Sequence, residues 1–208
     1  MDESEAKAAL DVPRGTMERL EGFIALLRDE NQRHNLVSRG SLEQIWNRHV
    51  LDSAQLVPLA PVDASTWLDL GTGAGFPGLI TALLHRSKVT MVESRRLRAE
   101  FLWRAAEILD VADKVEILCA RVETLAPRPF DVISARAFAP LGKTLSLGAR
   151  FSTSGTRWIL PRGRSAKSEL DAARASWQGD FRVEPSLTDP DAGIVVAERV
   201  SPKPKGKK

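Results

Sequence analysis

The sequence predicts an α/β fold: a seven-stranded, mostly parallel sheet with helices on both faces, an antiparallel last strand and an N-terminal helical extension. Three observations carry this expectation. From Thr66 onward, short apolar runs alternate with amphipathic stretches, the pattern of parallel strands joined by crossover helices. The first run leads into Gly71-Thr72-Gly73-Ala74-Gly75-Phe76-Pro77-Gly78, a tight turn opening into a helix, where Pro77 comes early enough that its missing N–H costs nothing. The last two runs are separated only by Leu187-Thr188-Asp189-Pro190-Asp191-Ala192, which holds a hairpin turn but no crossover helix.

Taken in order, residues 1 to about 13 are polar with little periodicity and read as a frayed end. Thr16 then stands where it could cap a helix burying Met17, Leu20, Phe23, Ile24 and Leu27, which recur at three- and four-residue steps. After a polar turn over 31–38, Ser41-Leu42-Glu43-Gln44 has capping-box spacing and predicts a second helix burying Leu42, Ile45 and Trp46, with His49 near its end. The pattern changes after Pro58 and Pro61. Residues 1–62 are therefore expected to be a helical extension laid on a main domain at 63–200, with 201–208 a basic disordered tail. Within the main domain, strands are expected at 66–70, 88–92, 115–119, 130–134, 156–160, 181–186 and 193–199, and helices at 77–84, 96–109, 141–150 and 165–177. Trp67, Trp103, Trp158 and Trp177 are expected to be buried mass.

A length of 208 residues suits one domain with a substantial core. No apolar run approaches the roughly 20 residues of a membrane span, and Met1-Asp2-Glu3-Ser4-Glu5 is acidic where a signal peptide is basic, so a cytoplasmic protein is expected. Cys119 is the only cysteine, which excludes internal disulfides and cysteine-rich zinc sites, and its thiol is expected in the core. The net charge of +3 is modest. Basic residues nevertheless cluster at Arg95, Arg96 and Arg98, at Arg162 and Arg164, and in the final Lys203-Pro204-Lys205-Gly206-Lys207-Lys208. A polyanion is one reading of them, solvated surface charge the plainer one.

Ligands of an open parallel sheet bind beyond the carboxyl ends of its strands. Gly71, Gly73 and Gly75 let backbone approach a ligand there, and Glu93 ends the next strand about 20 residues on, where a carboxylate meets ribose hydroxyls. NAD and S-adenosylmethionine both carry such a ribose. Asp69 ahead of the glycines resembles the first motif of class I methyltransferases, Rossmann-like enzymes, more than that of dehydrogenases, so S-adenosylmethionine is the expected cofactor; a turn that only tightens strand-to-helix packing is the alternative. Arg121-Val122-Glu123 at the third strand end stands where such enzymes hold adenine, although Glu123 also reads as a plain helix-start acid. Arg136 ends the fourth strand, and its planar fork of donors suits a cofactor, an RNA phosphate, a guanine edge, or an ion pair with Asp131 or Glu123.

That fourth strand end lacks the Asn/Asp-Pro-Pro-aromatic run of many amine-directed methyltransferases and the cysteine nucleophile of cytosine-5 enzymes. Guanine N7 fits the absence, because its lone pair attacks without losing a proton and leaves in-line positioning as the task of the site. Arg121, Arg136 and Arg162 are the candidates to position RNA. Two other readings stay open: an NAD(P)-dependent oxidoreductase, and a non-catalytic RNA-binding module on the same fold.

Over about residues 17–200 the chain resembles the bacterial glucose-inhibited division protein B family, the small-subunit ribosomal RNA guanine-N7 methyltransferases. The marks are Asn35-Leu36, Arg48-His49-x-x-Asp52-Ser53, Asp69-x-Gly-x-Gly-x-Gly-Phe-Pro-Gly78, Arg98-x-x-Phe101-Leu102, Arg121-Val122-Glu123, and Ser134-x-Arg136-Ala137. The resemblance implies 16S rRNA or a small-subunit ribosomal particle as the partner; a monomer that binds no membrane is expected. It also implies that Gly71, Phe76, Val122, Glu123 and Arg136 contact S-adenosylmethionine, with Gly73, Gly75 and Glu93 following from the generic fold. Asn35 and His49 match polar positions near the family's cleft, and read plainly they are a turn cap and a helix-end histidine. The chain departs from the family in having Leu97-Arg98 for Lys-Arg and Arg162-Gly163 for Lys-Gly.

Overall fold

The computed structural model describes residues 1–204. The apolar runs form β1 (Thr66–Leu70), β2 (Lys88–Glu93), β3 (Val115–Cys119), β4 (Val132–Ser134), β5 (Arg157–Gly163), β6 (Trp177–Pro185) and β7 (Gly193–Pro202). They stand in the order β3-β2-β1-β4-β5-β7-β6. The first five run parallel, and β7 is antiparallel to both neighbours. The chain moves from β1 out to β3 on one side and then returns to β4 and β5 on the other. The order therefore reverses between β1 and β4, and a crevice opens at their carboxyl ends.

Successive strand side chains alternate across the sheet. Trp67 joins an apolar cluster with Leu20, Phe23 and Leu27 of α2 (Arg14–Arg33), Leu79 of α5 (Gly78–Leu84) and Phe101 of α6 (Arg96–Ile108). Leu68 and Leu70 face the other cluster, with Leu145 of α7 (Leu141–Gly148), Leu170 of α8 (Ala166–Ala173) and Trp158. Phe23 lies against Phe76 and Phe101, with ring centroids 5.5 and 6.3 Å apart. Each fully buried side chain of this kind contributes roughly 1.5–3 kcal/mol, so α2 is fastened directly to the sheet's helical cover. A buried Glu30 adds a bond from Arg104 of α6 at 2.7 Å.

The amino terminus differs from expectation. Residues 1–13 are not frayed: α1 (Glu3–Ala8) is held by a reciprocal capping box between Asp2 and Glu5. Thr16 does not cap α2, which begins two residues earlier behind Pro13. Ser38 rather than Ser41 caps the next helix, α3 (Arg39–Glu43), by accepting from the Ser41 N–H. The expected long second helix stops there. A π-helix, Trp46–Leu51, follows and runs into α4 (Asp52–Ala54). Such wider turns are rare and gather at functional sites. The Glu3 carboxylate caps this one, accepting from the N–H groups of Trp46 at 3.0 Å and Asn47 at 3.1 Å.

Trp177 opens β6 instead of closing a helix, Trp103 is 44% exposed on α6, and the Cys119 thiol is exposed at the end of edge strand β3, not in the core. Ser201 and Pro202 complete β7, and residues 205–208 of the expected tail lie outside the described residues. Among the described residues no helix is long and apolar enough to cross a membrane.

Candidate functional site

The crevice is organised by Asp69, fully buried at the end of β1. Its carboxylate accepts from Ser134 Oγ at 2.7 Å and from the Gly78 N–H at 3.0 Å, which ties β1 to β4 and to the first turn of α5. Burial pushes the carboxyl up from its ordinary value, and these donors oppose the shift. Between its two anchors the chain folds into the glycine loop. Gly71 has φ +67°, and a Cβ there would fall 2.4 Å from Cδ2 of Phe138, so both backbone and space demand glycine. Gly75 has φ +93° and lies against Leu79, where a Cβ would come within 2.4 Å; it seats the loop on α5.

Two cavities flank the wall formed by Ala137, Phe138 and Ala139. The first, about 520 Å³, is lined by Gly71, Glu93, Arg121, Val122 and Glu123, with Lys143 at its margin. Its size suits a nucleoside-sized ligand. Glu93 is buried and accepts from the Gly73 N–H at 3.2 Å and the Arg95 N–H at 2.8 Å, so the carboxylate is fixed against the glycine loop. Arg121 pairs with Glu123 at 3.2 Å on this same cavity, apart from Arg136 and Arg162. The donor set fits S-adenosylmethionine: a held carboxylate for the ribose, an apolar Val122 edge for the base, and a glycine loop that approaches closely.

The second cavity, about 570 Å³, is lined by Arg48, Asp52, Arg136 and Arg162 among others. Arg136 Nη2 donates to His49 Nδ1 at 2.8 Å, and Nη1 donates to the Arg48 carbonyl at 3.1 Å and to Asp52 Oδ2 at 3.4 Å. Neither Asp131 nor Glu123 is its partner: Asp131 accepts from Ser65 and Thr66 instead. An arginine can only donate, so His49 carries its proton on Nε2, a buried atom with no acceptor among the described residues. Phe76, placed at the cofactor by resemblance, is 3% exposed beneath this pair, stacked on His49 at 4.9 Å and under Arg136 at 5.6 Å. Arg162 donates Nη1 to the Ala139 carbonyl at 2.6 Å, while its Nε and Nη2 are buried without an acceptor among the described residues.

Burial, then Arg136 and Arg48, lower the His49 pKa to about 3. The unfolded chain binds a proton here below about pH 6.5 and the native chain does not, so stability falls with pH from about 6.5 toward 3. Between pH 7.5 and 5 this group alone is expected to remove about 2 kcal/mol. Urea titrations of the chain and of His49→Gln should show the variant losing less over that interval, and parallel losses would refute the assignment.

Asn35 is exposed and stands apart from both cavities, its carbonyl accepting from Arg98 Nη2 at 3.3 Å. The turn cap is Asn31, whose Oδ1 accepts from the N–H groups of Leu36 and Val37, each at 2.9 Å. The sequence reading missed Phe138 as the partition between cavities and Asp52 as the carboxylate on Arg136. The only signal for the first was the demand for glycine at 71, and a contact 67 positions away gives that demand no visible object.

Solved structures share the architecture. An O-methyltransferase from Bacillus cereus, in complex with SAH, matches with TM-score 0.62 at 16% identity, over 94% of this chain and 96% of that one. A ribosomal protein L11 methylase from Lactobacillus delbrueckii subsp. bulgaricus matches with TM-score 0.59 at 17% identity, over 75% and 79%. With a glycine loop and a strand-end carboxylate meeting at the switch point, the protein is a class I methyltransferase that uses S-adenosylmethionine. More narrowly, the chain belongs to the GidB family, rRNA small subunit methyltransferase G, whose model matches residues 16–189. Two relatives called ribosomal RNA small subunit methyltransferase G are similar over nearly their whole length. That from Rhizorhabdus wittichii is 53% identical over 100% of this chain and 98% of its own, and that from Zymomonas mobilis is 46% identical over 93% and 90%. The protein methylates ribosomal RNA, and nothing favours an oxidoreductase or a non-catalytic module.

Proposed function

We propose that the methyl acceptor is N7 of a guanine in 16S rRNA, and that the second cavity receives this base. The observation that carries the proposal is the state of the carboxylates lining that cavity. Asp52 accepts from Gln55, Thr188 and Arg136; Glu169 accepts from the Leu141 N–H and Ser165; Asp189 accepts from the Asp191 N–H. Asp52 and Glu169 have both oxygens engaged by donors of the chain itself, and His49 Nδ1 is committed to Arg136. An acceptor that attacks through an existing lone pair needs none of them, and N7 is such an atom.

S-adenosylmethionine supplies, when bound, a methyl group on a sulfonium that any aligned lone pair can take. The chain's own residues do the positioning. Glu93 holds the ribose, Val122 and Glu123 hold the adenine, and Gly71 and Gly73 admit the remainder of the cofactor. Arg136 and Arg162 orient the nucleotide across the Phe138 wall. An unpaired buried donor costs roughly 1–3 kcal/mol, so the free Nε–Nη2 edge of Arg162 gains by turning toward a phosphate or base oxygen. The chain is read as a cytoplasmic monomer, with 1–62 an extension on a catalytic domain at 63–200.

The test is nucleoside mass spectrometry of 16S rRNA from unmodified small subunits and from bare RNA after incubation with the protein. 7-Methylguanosine is the expected product. Any other methylated nucleoside would overturn the assignment.

A further inference from the structure

A third depression, about 480 Å³, lies where the end of α2 faces the start of α6. Four arginines line it, Arg33, Arg95, Arg96 and Arg98, together with His34, Asn35 and the exposed Leu97, and no carboxylate does. The acidic groups nearby face the arginines from outside it. Arg33 pairs with Asp29 and Glu30, Arg96 with Glu100 at 2.7 Å, and Arg98 lies 3.9 Å from Glu93. Arg95 has no carboxylate within ion-pair distance among the described residues. The Asp29 and Glu100 pairs are exposed one-turn pairs worth a few tenths of a kcal/mol, so a phosphate readily draws the arginines from them. Arg98 spans the groove by its bond to the Asn35 carbonyl, and Arg95 and Arg98 also line the cofactor cavity, so groove and cavity are neighbours.

We propose that this groove binds the sugar–phosphate backbone of the rRNA strand flanking the target nucleotide. The inference rests on the rRNA reading and adds to it a path for the strand over the α2–α6 junction. A planar guanidinium donates side by side to two phosphate oxygens, which suits four arginines around one opening. Leu97 offers the ribose an apolar contact.

Arg33 and Arg96 line the groove and not the cofactor cavity, so the double variant Arg33→Ala/Arg96→Ala separates the two. Against wild type, its affinity for a bare 16S rRNA fragment is expected to fall about tenfold by fluorescence anisotropy, and the slope of log affinity on log salt to shrink by about 1.4, the loss of two single-strand phosphate contacts. Calorimetric affinity for S-adenosylhomocysteine should be unchanged. In the opposite direction, Leu97→Lys is expected to tighten RNA binding two- to threefold and steepen the slope. Unchanged affinity and slope in both variants overturn the groove. So does a loss seen only on assembled subunits and absent with bare RNA, which would put a protein there. Failure of the wild type to methylate 16S rRNA would instead overturn the activity, since the binding comparison requires no turnover.

Discussion

Gly71→Ala is expected to lower affinity for S-adenosylhomocysteine at least 100-fold in calorimetry. Two effects act together. Holding alanine at φ +67° costs about 1–2 kcal/mol, and its Cβ would sit 2.4 Å from the Phe138 ring. The ring must therefore leave its place, and the space open to it is the cavity on either side of the wall it forms. Gly163→Ala is the control: its φ is +56° and nothing lies within 4 Å of the added carbon. That variant is expected to lose about 1–2 kcal/mol of stability from backbone alone, with cofactor affinity unchanged. If Gly71→Ala bound within threefold of wild type, Phe138 would not be the partition described.

Arg136→Lys is the second large effect, and it should fall on turnover. One guanidinium reaches His49, the Arg48 carbonyl and Asp52 at once, across 3.4 Å or less, which fixes its plane at the edge of the second cavity. A lysine ammonium is a point charge on a flexible stem and cannot satisfy the three together. Misplacing a positioning group by about 1 Å costs on the order of 100-fold, so kcat/KM for unmodified small subunits is expected to fall by about that factor. Binding of S-adenosylhomocysteine should stay within threefold, because the guanidinium lies on the far side of the Phe138 wall. A loss of cofactor binding equal to the loss of turnover would place Arg136 at the cofactor instead.

The parts of the molecule legible in the sequence are those written in local pattern. The strands, the glycine loop and Glu93 could be placed because apolar runs, punctuation and a spacing of about 20 residues are short-range signals. The terminal hairpin was legible for the same reason, since no helix fits between β6 and β7. Less was legible where distant segments meet. Arg136 stands 84 positions from Asp52 and 87 from His49, and joins them in one unit only through the fold. Asp2-x-x-Glu5 was a readable cap in a stretch whose polar composition suggested fraying. The π-helix has no sequence signature of its own, and its first free N–H groups are taken by Glu3, from a helix 43 residues away.

That last contact gives the opening residues of the chain a bearing on chemistry they never touch. Glu3 steadies Trp46 and Asn47, whose turn delivers the Arg48 carbonyl and the His49 ring to Arg136. Displacing α1, whether by a purification tag folded against it or by trimming of the first dozen residues, is expected to disturb first the Arg48, His49 and Arg136 cluster at the second cavity. A preparation altered there is expected to lose turnover before it loses cofactor binding.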